Sequence, residues 1–400
     1  MIRLNSMILH LLLLNSAIAF SKIILPHLAI LLWTVQLIKK KLHLTFYFLC
    51  FSFCIFIIIQ IVITQQLLLQ GYALYALSII TMKVAMDIYF QNPVMTEKIV
   101  NKIFYFYICI GLFEAIFGLH WPTSPLSEFS AYFGRSSSDL SDLSSEAVTY
   151  VDTMPTGFLG NPNTYSVFIF LCYVYLFNNI NKYRLIISLL VLFLIISAGA
   201  RLTLIGFAIF HLSKLRLKYI MYMIMIAMII YFSALDILIP VKLEEMIGLF
   251  VMLWDIVAKL SIETIMEISG SIGTRIDLTI NGWHLFIENL FFGNGPQGVV
   301  WNSDSVGVWY KGKLVSSLHN TTLEILMDMG IVGAILILLF LFRFEQTNIG
   351  FLRFRPLIFL SVFIVVNFSA SSLLYSFPNL VMIGVLLASA IEKKRLRASY

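Results

Sequence analysis

Apolar runs of roughly 17–25 residues, the length that crosses a hydrocarbon core, recur along the whole chain with no soluble domain between them. Read as helices they fall at 4–21, 23–38, 42–63, 65–82, 103–119, 159–178, 185–199, 202–213, 219–239, 320–342, 356–374 and 378–391. The pattern predicts an all-α polytopic membrane protein of about twelve transmembrane helices, one integral membrane domain over 1–400. Two longer polar stretches, 120–158 and 240–318, interrupt it as loops on one face.

Composition agrees with the pattern. Sixty per cent of the chain is AVILMFWYC and 12% is charged, against about 45–50% and about 25% in soluble domains. The bases then orient the spans, because Lys and Arg in short loops stay on the cytoplasmic side. Arg3, Lys39–Lys41, Lys83, Lys98, Lys102, Lys182, Arg184, Lys214, Arg216, Lys218, Arg343, Arg353, Arg355 and the 393–397 cluster fall inside when both termini are cytoplasmic. The net charge of +6 is therefore a topology signal and not a nucleic-acid patch; no RNA-binding motif accompanies it. The first twenty residues resemble a signal peptide, with Ala17 and Ala19 at small-residue positions, but an uncleaved first helix fits a multispan chain better. Cys50, Cys54, Cys109 and Cys172 all fall within spans, where small apolar packing is expected instead of a disulfide framework or zinc site.

The basic clusters at 182–184 and 214–218 both belong in the cytoplasm, which requires an even number of crossings between them. Residues 185–213 are too few for two full spans, which need about 40. Two half-helices of about 14 residues would each rise only roughly 21 Å, short of the roughly 30 Å core. Arg201, at the apex after Ser197, Ala198, Gly199 and Ala200, is then expected below the outer membrane surface, facing a polar cavity or an anion. A snorkelling arginine, or a single long span with reversed topology beyond it, is the bland alternative.

In the loop 240–318, Ile276, Ile280, Trp283 and Ile287 share a helical face, as in an amphipathic helix lying at the interface. Arg275 opens that helix; a solvated surface arginine is the plain reading. The run "GNGPQG" (293–298) lacks the strand–turn–helix context of a nucleotide fingerprint and reads as a turn. Trp301, Trp309 and Tyr310 suit either a sugar face or the headgroup belt. His319 stands at the outer end of the span 320–342, where an imidazole with an unperturbed pKa near 6.5 can take a proton from a hydroxyl. Glu324 and Asp328 are four residues apart on one face of that span, and with Asn320 they are expected to line the cavity of His319. Glu114 is a third acid within a span, and intramembrane acids are functional suspects by default.

The order of "GFLGNPNTYSVFIF" (157–170), "SAGARLTLIGF" (197–207), "GTRIDLTINGWHLFIENLFFGNGPQG" (273–298) and "SLHNTTLEILMDMGIVGAILIL" (317–338) resembles the O-antigen polymerase and O-antigen ligase superfamily, Wzy-type glycosyltransferases with a GT-C-like membrane fold. The likeness covers the C-terminal two-thirds; the first five spans match only in character. It implies that Arg201 and Arg275 hold the donor's diphosphate and that His319 is the base on the acceptor hydroxyl. It further implies an inverting, metal-independent reaction with no cofactor, at the periplasmic face of the bacterial inner membrane.

The implied donor is an oligosaccharide on undecaprenyl diphosphate. A flippase and a chain-length regulator of the same pathway are the implied partners, with membrane lipid and no nucleic acid. The runs "LHNTTLEILMDMG" and "GNPN" look more like polymerases of O-antigen, capsule or exopolysaccharide than like ligases acting on lipid A-core. A transporter of lipid-linked glycan is the alternative of another class; it would be expected to show paired repeats and a path of ionisable groups.

Overall fold

The computed structural model describes residues 2–14, 28–32, 44–64, 69–119, 154–157, 159, 161–180, 183–214, 271–296, 308–310, 313–315, 318, 320–343, 356–368 and 376–398. Its helices are α1 (Ile2–Leu13), α2 (Leu44–Thr64), α3 (Leu69–Gln91), α4 (Pro93–Phe117), α5 (Pro162–Leu176), α6 (Arg184–Ser197), α7 (Arg201–Leu212), α8 (Ser271–Glu288), α9 (Thr321–Arg343), α10 (Pro356–Phe368) and α11 (Phe377–Ala398). Segments Gly71–Gln91, Pro93–Phe117 and Thr321–Leu341 are long and apolar enough to cross a membrane, and seven shorter apolar helices accompany them. Phe48, Phe51, Ile58 and Val62 of α2 and Leu185, Ile186 and Leu189 of α6 are exposed, while Tyr107, Tyr165, Phe168 and Phe170 are fully buried. Greasy outer faces around an aromatic interior fit a membrane protein. The expected span 219–239 lies outside the described residues, as do 120–153 and 240–270 of the two long loops and most of 23–38.

Two elements differ from expectation. The segment 83–102, expected as a cytoplasmic loop, is helical except at Asn92. Asn92 caps α4 by accepting the Met95 N–H (2.9 Å), and Pro93, which has no N–H to lose, occupies the first helical position. Lys83 is therefore not in a solvated loop. It is 1% exposed in α3, with Nζ 2.9 Å from the Asp87 carboxylate one turn on. The second difference is a hairpin in the outer loop, β1 (Val308–Tyr310) antiparallel to β2 (Lys313–Val315), with Trp309 opposite Leu314.

The short-helix hairpin is present. α6 ends at Ser197, Gly199 takes a left-handed φ of 63°, and α7 starts at Arg201. The far ends of both arms return to α5: the Tyr173 hydroxyl lies 2.5 Å from Ser188 Oγ of α6 and 3.0 Å from His211 Nε2 of α7. Ser188 donates to the Arg184 carbonyl, so its oxygen accepts from Tyr173, and His211 Nε2 donates to the Tyr173 oxygen. At the other end Ser166 and Thr203 hydroxyls sit 3.0 Å apart, so α5 runs alongside α7. Arg184 and Lys214 both lie over the Phe177 ring, at 4.7 and 5.3 Å.

Two measurements check these features. Topology reporters fused after residues 182 and 216 are expected to report the same side of the membrane; opposite sides would remove the hairpin. Asp87→Ala, which strands a buried ammonium, is expected to destabilise the fold by about 3 kcal/mol, and Lys83→Met added to it should restore most of the loss in thermal unfolding.

Candidate functional site

Arg201 is the first residue of α7 and its side chain is exposed. The Ala198 and Gly199 amides are consumed by the end of α6, bonding to the carbonyls of Leu194 (2.9 Å) and Ile196 (2.8 Å). The Ala200 and Arg201 amides are likewise taken, by the carbonyls of Ile195 (3.3 Å) and Gly199 (3.1 Å). Gly206, about 7.5 Å farther along the axis at 1.5 Å per residue, lets α7 press onto α10: a β-carbon there would lie 2.2 Å from Val365 Cγ2 and 3.1 Å from the Ser361 carbonyl oxygen.

The same turn of α10 holds the start of α9. Thr321 Oγ1 donates to the Val366 carbonyl (3.2 Å), and the Thr322 N–H (3.0 Å) and hydroxyl both donate to Asn367 Oδ1. Asn367 Nδ2 is itself anchored on the Phe363 carbonyl (2.9 Å). Asn320, expected at the cavity, is a helix cap: its Oδ1 accepts the Leu323 N–H at 3.1 Å and its carbonyl accepts that of Glu324 at 2.9 Å. Glu324 is half-buried in the first turn, where a negative charge favours the helix.

His319 lies outside the described residues, but its neighbours are placed. Leu318 is 2% exposed and packs with Leu278 and Phe286 of α8 and with Leu323 and Met327 of α9. Gly282 makes room for it, since a β-carbon there would meet Leu318 Cδ2 at 2.6 Å. Arg275, expected to open its helix, does not: α8 begins at Ser271, because the turn Ser271–Thr274 is already helical, and Arg275 lies inside it, one turn before Leu278, with its side chain outside the described residues. Trp283 and Ile287, on the face expected at the interface, are indeed exposed. The opposite face, Leu278 with Phe286, is the one buried on α9.

Sequence reasoning missed what fixes this unit. The span expected at 320–342 is one helix by extent but is broken at Gly330, with φ 62° and ψ −176°. The turn after α8 enters the break. The N–H groups of Ile331 and Val332 donate to the carbonyls of Leu290 and Phe291 (3.0 and 3.1 Å), while the carbonyls of Met327 and Asp328 accept from Asn294 and Gly295 (2.8 and 2.9 Å). These are the four groups that an unbroken helix would have paired with one another, 331 to 327 and 332 to 328. The "GNGPQG" turn is thus a turn, as expected, and also a backbone plug.

Side chains close around it. Gln60 of α2 donates through Nε2 to the carbonyls of Asp328 (2.6 Å) and Phe292, and accepts the Tyr72 hydroxyl of α3 at 2.8 Å. Asp328 is 2% exposed and accepts the Tyr75 hydroxyl at 2.6 Å. Its carboxylate is packed in this knot. Glu114 has a comparable post: its Oε2 accepts the N–H groups of Thr156 (2.7 Å) and Gly157 (2.6 Å), directly before the 157–163 motif. In that motif Asn161 caps α5 through the N–H groups of Asn163 and Thr164. Among the described residues no group of three or more His, Cys, Asp or Glu is placed to hold a metal ion.

Residues 166–338, from the first turn of α5 to the second half of α9, match the family model described as O-antigen ligase. That segment, under half of the chain, is what resembles the O-antigen ligase family. Arg201, Arg275, His319, Asn320, Glu324 and Asp328 all fall inside the match. Members of this O-antigen ligase family are glycosyltransferase-like enzymes. No curated protein and no solved structure shows significant similarity to the chain.

The break itself is testable. Gly330→Ala puts a β-carbon 2.4 Å from the Phe291 carbonyl oxygen at a backbone conformation reserved for glycine. A loss of about 3 kcal/mol or more is expected, read as a fall in folded protein recovered from the membrane; full recovery would mean the break is not formed.

Proposed function

We propose that the protein is a polymerase of O-antigen, capsule or exopolysaccharide that joins repeat units carried on undecaprenyl diphosphate. The observation that carries the glycosyl-transfer reading is the family match, which covers Arg201, Arg275 and His319, on a frame where one turn of α10 holds both α7 and the start of α9; the choice of polymerase rests on the runs "LHNTTLEILMDMG" and "GNPN". Its topology is twelve spans with cytoplasmic termini, in the inner membrane, with the site on the periplasmic face. Arg201 and Arg275 bind the donor diphosphate through charge-assisted bonds that strengthen as the leaving group gains charge.

His319 takes the proton of the acceptor hydroxyl as that oxygen attacks the anomeric carbon. The bond from that carbon to the diphosphate oxygen breaks, its electron pair leaves with polyprenyl diphosphate, and the centre inverts. The step needs a base and anion binding, and draws on no metal. The 318–322 segment supplies rigidity to the base, since its flanks are fixed by Leu318 in the α8 core and by Thr322 on Asn367.

The family's description as O-antigen ligase favours a second reading, ligation of the finished polymer to lipid A-core by the same chemistry. Transport has lost its motivation. Glu114 and Asp328, two of the acids that carried it, bind backbone N–H groups and a tyrosine hydroxyl within packed regions.

Glycan profiling of a deletion strain separates the two. A core bearing a single repeat unit is expected, the phenotype of a lost polymerase; bare core with accumulating lipid-linked polymer would make it a ligase. Complementation with His319→Ala should leave chain growth at least about a hundredfold below wild type at equal protein level. A normal ladder from that variant would overturn the role of His319.

A further inference from the structure

The end of the bundle opposite Arg201 holds a second cluster. α5 finishes, α6 begins and α7 finishes around the buried ring of Phe177, which is 7% exposed. The Arg184 guanidinium lies 4.7 Å and the Lys214 ammonium 5.3 Å from its centroid, and the His211 ring meets its edge at 5.7 Å. Lys214 also lies 5.2 Å from the Phe210 ring. Two cations, Arg184 at the start of α6 and Lys214 just past the end of α7, are thereby gathered at one point, both only partly buried. Along the sequence the charge is one-sided: no Asp or Glu occurs between Asp152 and Asp236, and Lys182, Arg216 and Lys218 are sequence neighbours of Arg184 and Lys214.

Below the cluster runs an apolar face that the protein leaves uncovered. Leu185, Ile186, Leu189, Phe193 and Ile196 of α6 are 73, 57, 56, 44 and 39% exposed. Leu185, Leu189, Phe193 and Ile196 follow at helical spacing, so they form one strip starting beside Arg184. A phosphate above and hydrocarbon below is the chemical outline of a phospholipid. Basic pockets between transmembrane helices recognise such headgroups.

We propose that this junction is a binding site for an anionic phospholipid, with Arg184 and Lys214 holding the phosphodiester and the α6 strip carrying an acyl chain. The site is separate from the glycosyl-transfer centre, and it holds whether that centre polymerises or ligates. Phe177 is the positioning element, since it draws both cations to one place.

The test is native mass spectrometry of the full-length protein in detergent, offered equal phosphatidylglycerol and phosphatidylcholine of matched chains. Wild type is expected to retain phosphatidylglycerol about tenfold over phosphatidylcholine. The double variant Arg184→Gln/Lys214→Gln should bring that ratio near one. Phe177→Leu, which keeps both charges, should lower it about threefold or more. Lys98→Gln/Lys102→Gln removes two exposed cations of α4 and should leave the ratio within about twofold of wild type. The site is overturned if the Arg184/Lys214 double variant keeps the wild-type ratio, or if the α4 variant loses it equally, which would make net charge the cause. Displacement of phosphatidylglycerol by an equal concentration of inorganic phosphate would also overturn it, by assigning the cluster to a soluble anion.

Discussion

A backbone carbonyl or N–H without a partner is costly where water is excluded, by several kcal/mol in hydrocarbon. That constraint governs the junction of α8 and α9. Gly330 breaks the helix and frees two donors and two acceptors, and the turn at 290–295 supplies two acceptors and two donors in return. Neither segment is complete without the other. Gly293 sits at the crossing, where a β-carbon would come 2.5 Å from the Asp328 carbonyl oxygen, so the two backbones approach as closely as they do because no side chain stands between them.

The exchange divides α9 into two parts with different company. Leu323 and Met327, before the break, belong to a small core with Leu278, Phe286 and Leu318. Met329, Ile337, Phe340 and Leu341, at and beyond it, belong to the main core of the bundle. The first half of α9 and α8 therefore form one body, attached to the bundle at the break and again at Asn367. Residues 318–322 lie at the far end of that body from the break. Tyr75, Tyr72 and Gln60 are remote from the candidate catalytic groups in sequence, yet through the knot at Asp328 they set the base of the lever that carries them.

Legibility followed the range of the interaction. The hairpin at 185–213 could be read because two constraints, loop charge and bilayer thickness, act on any chain regardless of its partners. Arg201 was readable as a cation at the start of a helix, but Arg275, expected to open one, stands a turn inside a helix that begins at Ser271. The break at Gly330 was not readable. A single glycine inside an apolar run looks like a tolerated packing residue until the segment 290–295, distant in sequence, is seen to insert there. Lys83 was misread because Asn92–Pro93 stops one helix and starts the next without a loop, so the polar stretch looked solvated. Arg275 and His319 themselves show how far this goes: the elements around them are fixed by Leu278, Gly282, Leu318 and Asn320, residues whose composition signals only packing and capping.

The intramembrane acids illustrate why burial alone does not identify chemistry. An acid within a span is expensive and so invites a functional reading. Glu114 and Asp328 have a common feature that points elsewhere: each sits where non-helical backbone enters the bundle. Glu114 takes the N–H groups of Thr156 and Gly157 as the chain comes in toward α5, and Asp328 stands at the break that admits the turn after α8. Irregular backbone at such depth is tolerated only when its polar groups are satisfied by protein. Glu114 meets that need directly, one oxygen accepting two backbone N–H groups, while the Asp328 side chain accepts the Tyr75 hydroxyl and its backbone carbonyl takes the Gly295 N–H. Loops that carry a site must re-enter the bundle somewhere, and Glu114 and Asp328 stand at two such entry points, whereas the buried Lys83 is paired within regular helix.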